Sequence, residues 1–290
     1  MNIGIIGLGL IGGSMALASK KYTVGCRCYG RDINPTHIKQ AIALGIIEEE
    51  LTDVNLPHMD VVILAVPVDI AIDLAVPLLD IINDNALLID VGSTKGSICE
   101  RVALHPKRNQ FLATHPIAGT EFSGPSAAYA ELFLEQTQIL CETSLSRPDL
   151  TEWAIQWFRS MSMRIKEMDP KEHDQHIAYV SHLSHVSSFM LGKTVMEKEK
   201  DEHAIFDMAG SGFASTVRLA KSSPSMWTPI FKQNRENLLE VLTEYIENLS
   251  AFKNDLEQHD YNKLYQTMLE TNAIRAILAG INQNNTKNNN

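Results

Sequence analysis

The stretch GIIGLGLIGGS, residues 4–14, decides the fold. It sets Gly7-x-Gly9-x-x-Gly12 directly after an apolar run, Asn2–Gly7, and ahead of a helical segment. In a strand–turn–helix unit of this kind the first glycine makes the tight turn and the second lets a pyrophosphate approach the backbone. The third lets helix and strand pack closely. The glycine pattern alone is a weak signal. Its place between strand and helix strengthens it, as does the acidic residue closing the second apolar run, in YGRDINP at 29–35. Asp32 there is the expected acceptor for the adenosine ribose hydroxyls, and it repels a 2′-phosphate, which favours NAD over NADP. Arg31 beside it could meet such a phosphate. The expected cofactor site is Gly7, Leu8, Gly9, Leu10, Ile11 and Gly12, with Arg31, Asp32, Val66 and Pro67.

Working outward, further strands are expected at Cys26–Asp32, Val61–Pro67, Ala86–Val91, Phe111–His115, Gln138–Glu142 and Arg164–Met168. Helical segments such as Pro35–Leu44 and Asp149–Phe158 lie between them. Continuous apolar strands alternating with helices predict a parallel sheet covered on both faces. The pattern changes at DPKE, 169–172, which offers an Asp N-cap, Pro at the first helical position and Glu at the third. Helical periodicity then continues without a strand. The expected class is α/β: a Rossmann-type doubly wound sheet over 1–168, an all-α domain over 169–282, and a low-complexity, disordered tail at 283–290. The charged run MEKEKDEH from Met196 reads as a solvated helix end or loop.

The chain has 290 residues and a net charge of −10, which argues against nucleic acid or an anionic membrane as partner. No stretch is apolar enough for a membrane span. The N-terminus enters a strand without a basic leader, so no signal peptide is expected. Four cysteines, Cys26, Cys28, Cys99 and Cys141, form no metal-type Cys-x-x-Cys. Cys26 and Cys28 share a strand face and cannot easily bridge. A reduced, cytoplasmic protein is expected.

Three segments carry possible chemistry. DVGSTKG (90–96) and THPIAGTE (114–121) put Ser93 and His115 just past strand ends, where an open α/β sheet binds its ligands. Adjacent strand ends could bring Ser93 within reach of His115; a structural histidine satisfying loop carbonyls is the alternative. HDQHIAYVSHLSH (173–185) holds four histidines. On an α-helix with His173 at zero, His176, His182 and His185 fall near about 300°, 180° and 120°. The pairs diverge, so no metal site is expected. Ile177, Val180, Leu183, Val186 and Met190 form the expected core stripe, with His182 and His185 flanking it or facing a cleft. In GSGFASTVRLAKSSPSMW (210–227), Gly210 and Gly212 mark a turn and Arg218 a helix. Arg218 could bind a carboxylate with two parallel hydrogen bonds or be a surface residue.

Together GLGLIGGS, YGRDINP, DVGSTKG, THPIAGTEFSG, the histidine stretch and the Arg218 segment resemble the prephenate/arogenate dehydrogenase family of tyrosine biosynthesis, over residues 1 to about 230. The resemblance implies NAD-dependent oxidative decarboxylation of prephenate to 4-hydroxyphenylpyruvate, with arogenate as the alternative substrate. It implies His115 on the ring hydroxyl, with Ser93 contacting that histidine and the substrate. Thr120, Glu121, His182 and His185 fall in the substrate pocket, and Arg218 binds a carboxylate. Trp227 matches a recurring tryptophan, read as packing. The later helices fit the family's dimerisation domain, implying a homodimer. Some relatives carry an acid where this chain has Ser215, which bears on substrate choice. Two other readings compete: a 3-hydroxy acid dehydrogenase, whose helix lysine would fall to Lys193 after Gly192, and a non-catalytic NAD-binding regulator.

Overall fold

The computed structural model describes residues 1–202 and 204–279; the expected tail at 283–290 lies outside them. Eight strands form one sheet: β1 (Asn2–Ile6), β2 (Arg27–Arg31), β3 (Glu49–Glu50), β4 (Val61–Leu64), β5 (Leu87–Asp90), β6 (Phe111–Pro116), β7 (Thr137–Cys141) and β8 (Arg164–Met168). Their order is β3-β2-β1-β4-β5-β6-β7-β8. The chain winds one way from β1 to β3 and the other way from β4. The order therefore reverses between β1 and β4, and a crevice opens at their carboxyl ends.

Alternate residues of the central strands feed two separate apolar layers. Ile3, Ile5, Ile63 and Ile89 join the layer that holds α1 (Leu10–Tyr22). Val62, Leu64 and Leu88 join the other. Helix α2 (Pro35–Ala43) is capped by Asn34, and α3 (Val68–Ile81) gives Ala71, Ala75, Leu78 and Leu79 to the second layer. Burial on both faces is why these strands read as unbroken apolar runs. Helix α4 (Gly96–Val102) follows β5, and α5 (Pro148–Ser160) crosses from β7 to β8.

One pairing departs from the all-parallel expectation: β7 runs antiparallel to β6. Residues 117–136 contain only short 3₁₀ turns and no crossover helix. The chain therefore re-enters the sheet at the end it left, which an antiparallel neighbour permits and a parallel one does not. β8 returns by way of α5 and is parallel to β7. The two-residue β3 carries no apolar run, so sequence periodicity does not register it.

The sheet ends at Met168, and every described element after it is helical: α6 (Pro170–Ile177), a π turn (Ala178–His182), α7 (Leu183–Glu202), α8 (Ser211–Thr216), α9 (Pro224–Gln233), α10 (Arg235–Glu257) and α11 (Tyr261–Thr271). Asp169 caps α6, its carboxylate accepting from the Lys171 and Glu172 N–H groups at 2.8 and 3.3 Å. Compactness divides the chain into Met1–Arg235 and a unit from Glu236 onward. In that second unit Asp260 caps α11, and Lys263 binds Asp255 at 2.7 Å.

The expected core stripe needs correction. Val180 and Met190 are exposed, at 74% and 51%, whereas Ile177, Ala178, His182 and Ser188 are buried. The π turn is the cause. Each residue there advances by less than the about 100° of an α-helix, so the face beyond it is rotated from the extrapolated one. No described helix is long and apolar enough to cross a membrane. The four cysteines are free, with Cys26 and Cys28 sulfurs 3.8 Å apart.

Candidate active site

The crevice between β1 and β4 is built from glycine. Gly7 has φ +97°, and a Cβ there would lie 2.3 Å from the Ala65 carbonyl oxygen. A Cβ on Gly12 would lie 1.9 Å from the Gly7 oxygen, so α1 can pack this closely only without one. Around Gly9 a Cβ would meet nothing within 4 Å, which leaves open space over the backbone. The first helical hydrogen bond is Gly13 N–H to Gly9 O, so the Leu10, Ile11 and Gly12 N–H groups precede the helical ladder. These features fit a dinucleotide pyrophosphate. Leu8 contributes differently from expectation: its side chain is wholly buried and its N–H is taken by Asp32 Oδ2 at 2.8 Å. Val66 packs against the Gly7 turn, and Pro67 caps α3.

Asp32 also accepts from the Asn34 N–H at 2.8 Å and lies 3.3 Å from His37. Its carboxylate is thereby fixed at the end of β2. Arg31 is turned to other partners, its Nε donating to the Leu51 carbonyl at 2.8 Å and its Nη2 to Asp53 at 2.7 Å. The loop after β6 folds back on α1: Tyr129 N–H donates to Ser14 Oγ, and a Cβ on Gly13 would touch Ala128.

At the end of β6, His115 Nδ1 is 2.9 Å from His173 Nε2, and His173 Nδ1 is 2.8 Å from Asp174 Oδ1. Among the described residues no hydrogen bond joins Ser93 to His115, whose Nδ1 is held by His173. The other ring nitrogen of His115, Nε2, has no protein partner among the described residues. Burial holds the His115 pKa well below 6.5, and the neighbouring His173, Lys95 and His182 push the same way. Lys95 itself is fully buried, bonded to Asp90 and, at 2.7 Å, to the Thr114 carbonyl. Asp174 reaches across to α4, accepting from the Lys95 and Gly96 N–H groups at 2.8 Å each.

The four histidines do not divide into the two opposite pairs that an unbroken α-helix predicts, because the π turn intervenes. His173 is 2% exposed, whereas the His176 side chain is 57% exposed. His182, wholly buried, receives Asn234 Nδ2 at 3.1 Å on Nδ1 and meets Trp227 edge-on. Burial lowers its pKa to about 4. Its Nε2 and the Trp227 indole Nε1 are buried without a protein partner among the described residues. His185 stacks on Trp227 at 3.5 Å and donates Nδ1–H to the Ser181 carbonyl at 2.9 Å. Burial, helped by the charge of Arg218, lowers its pKa, with the Ser181 bond opposing. Trp227 is buried against Val68 and Ile230, so its packing role is real.

Arg218 opens a 3₁₀ turn instead of sitting on a helix, and Gly212 lies inside α8. Arg218 Nη1 is 3.3 Å from Glu121 Oε2. Thr120 accepts the Phe122 N–H at 3.3 Å, and Glu121 lines an open cleft of about 530 Å³ with Phe122, Ser123 and Ser126. Lys193 is exposed and paired with Glu197. Sequence reasoning did not assign Asp174, His173, Lys95 or Asn234. The adjacent His173-Asp174 pair one turn into a capped helix was the available signal; nothing local marked Lys95 or Asn234.

Comparison with known proteins supplies the chemistry's context. The family model described as prephenate dehydrogenase, nucleotide-binding domain, matches residues 15–167, and the one described as prephenate dehydrogenase, dimerization domain, matches 169–270. The prephenate dehydrogenase of Bacillus subtilis is 32% identical over 90% of this chain and 72% of its own. The cyclohexadienyl dehydrogenase of Zymomonas mobilis is 29% identical over 96% of each. The crystal structure of prephenate dehydrogenase from A. aeolicus, in complex with hydroxyphenyl propionate and NAD+, superposes with a TM-score of 0.87 at 29% identity, over 96% of this chain and 98% of that one.

Proposed function

The chain belongs to the prephenate dehydrogenase family, and from that premise we propose that it oxidises and decarboxylates prephenate to 4-hydroxyphenylpyruvate with NAD, as a step of tyrosine biosynthesis. The observation that carries this reading is His115, whose Nδ1 is held and whose Nε2 is free, at the carboxyl end of the sheet that builds the dinucleotide crevice. The Gly7–Gly12 turn and Asp32 would hold the cofactor. NAD supplies the hydride acceptor for the carbinol carbon.

His115 Nε2 takes the hydroxyl proton as that carbon becomes a carbonyl. The bond from the ring to its carboxylate then breaks, its electron pair enters the ring, and CO₂ leaves. The resulting phenolate recovers the proton from His115, so no net proton is consumed. A neutral imidazole is the form that can act as base, and burial keeps His115 neutral near pH 7. Arg218 takes the substrate's side-chain carboxylate and not the ring carboxylate, because a clamp on the leaving group would favour the ground state. Its bond to Glu121 is partly exposed, and such pairs are worth about 1 kcal/mol or less, so a substrate carboxylate can share Arg218 with Glu121. Ser93 and Thr120 are assigned to the substrate's polar groups. His185 forms a pocket wall on Trp227, with His182 behind it.

We read the domain called dimerization as the seat of a homodimer and the cytoplasm as the compartment, which four free thiols suit. A second reading, use of arogenate as well, is favoured by the similarity to a cyclohexadienyl dehydrogenase. The test of the main reading is His115→Asn. Turnover of prephenate should fall by about 10²–10⁴-fold with NAD affinity unchanged; near-normal turnover would remove His115 from the mechanism.

A further inference from the structure

We infer that Asp174 and His173 fix the tautomer of His115, keeping the proton on Nδ1 and leaving Nε2 as the bare nitrogen that receives the substrate proton. This rests on the reading of His115 as the base. Asp174 and His173 are positioning residues: they act through His115 and touch no reacting atom.

The assignment follows from which groups can only donate. Backbone N–H groups of Lys95 and Gly96 each point at Asp174, one to Oδ1 and one to Oδ2, both at 2.8 Å. A side chain receiving two obligate donors is held as an acceptor, so the third contact, His173 Nδ1 at 2.8 Å, is an N–H. Neutral imidazole carries one ring proton, so His173 Nε2 has a lone pair. It sits 2.9 Å from His115 Nδ1, which must then donate. That leaves His115 Nε2 unprotonated.

The arrangement is buried. His173 and Asp174 are 2% and 7% exposed. Asn234 Nδ2 donates to the Asp174 carbonyl at 2.6 Å and meets His182 Nδ1, tying α6 to the end of α9. The charged groups around the ring are Lys95, neutralised by Asp90, and Asp174 itself. When Nε2 gains a proton, the imidazolium faces the Asp174 carboxylate through His173, while Lys95 is already compensated. The same logic holds where a buried carboxylate orients a catalytic histidine in hydrolases, and there an amide in its place installs the wrong tautomer.

Asp174→Ala should release the chain. The Lys95 and Gly96 N–H groups sit on different oxygens, so an amide could keep either direction, whereas Asp174→Ala removes the acceptor of His173 Nδ1 altogether; nothing then holds a proton there, and His115 can carry its proton on Nε2. His173→Gln should keep the tautomer, because its amide oxygen can accept from His115 Nδ1. The experiment is side-chain ¹⁵N NMR of the whole protein, with His115 assigned by the spectrum of His115→Asn, alongside kcat, KM, NAD affinity and thermal midpoint. The parent should show protonated Nδ1 and bare Nε2. Asp174→Ala should show the Nε2-protonated form appear, with kcat lowered and KM and NAD affinity little changed. His173→Gln should retain the parent tautomer and more activity than Asp174→Ala. A parent protonated on Nε2 overturns the inference, as does Asp174→Ala with the parent tautomer and near-parent kcat. The parent spectrum needs neither substrate nor a folded variant, so it separates failure of this inference from failure of the prephenate assignment.

Discussion

Asp32 and Arg31 are neighbours in sequence with opposite implications for the cofactor, and they make different contacts. The Asp32 carboxylate is locked by the Leu8 and Asn34 N–H groups at the crevice, while Arg31 is drawn off by Leu51 and Asp53. On the proposed reading, selectivity for NAD depends partly on Asp53, a residue with no expected cofactor role. Asp53→Ala should free Arg31 and narrow the NAD over NADP preference in kcat/KM; Asp32→Ser should narrow it further, at some loss of stability because the Leu8 N–H loses its acceptor. An unchanged preference in both variants would show that discrimination lies elsewhere. Asp32 was legible in the sequence, from its place after a glycine turn and a strand. The captivity of Arg31 was not, since its partners lie 20 and 22 residues away. Likewise Glu121 and Arg218, 97 residues apart, meet only through the fold.

At the scale of elements, the strands were legible because burial on both faces writes itself as apolar runs: Arg164–Met168 agrees residue for residue, and the others within two or three. The DPKE cap was equally plain, because Asp169 binds the N–H groups its position implies. What the sequence concealed is the π turn at Ala178–His182, for periodicity carries no mark of one inserted residue, and the faces beyond it were misassigned. That turn sets His182 wholly inside the protein, neutral, against Trp227. A histidine with its folded pKa lowered to about 4, from 6.5 unfolded, binds its proton more readily in the unfolded chain. Its contribution to stability is complete above pH 6.5 and is lost as pH falls toward 4, by about 3 kcal/mol at most. Denaturant unfolding should therefore show a steeper loss across this window in the parent than in His182→Gln. Equal slopes would mean that His182 is not buried neutral.

For the whole molecule, the apolar surface of the second unit asks for a partner. Leu239, Ile246, Leu249, Phe252 and Leu256 are all at least 39% exposed, and at about 100° per residue they occupy one half of α10. Apolar faces of this extent mark interfaces, and the family domain matched here is called a dimerization domain. The parent should sediment at twice its chain mass, and Ile246→Glu combined with Leu249→Glu should shift it toward the single chain. A parent that sediments as one chain at micromolar concentration would count against the homodimer.

The central claim is the reaction itself, and it is tested by initial rates of NADH formation with prephenate and with arogenate, side by side. At the side-chain end, prephenate has a keto group and arogenate an ammonium. Close to the Arg218 clamp stand Ser215 and Thr216, both bonded to Gly212 O, and Glu121, whose charge is already engaged by Arg218. An ammonium finds no free carboxylate in that set. Prephenate should be preferred by at least about tenfold in kcat/KM, a difference of only about 1.4 kcal/mol in transition-state binding. Arogenate turned over with the higher kcat/KM, or NADH formed from neither compound, would contradict it.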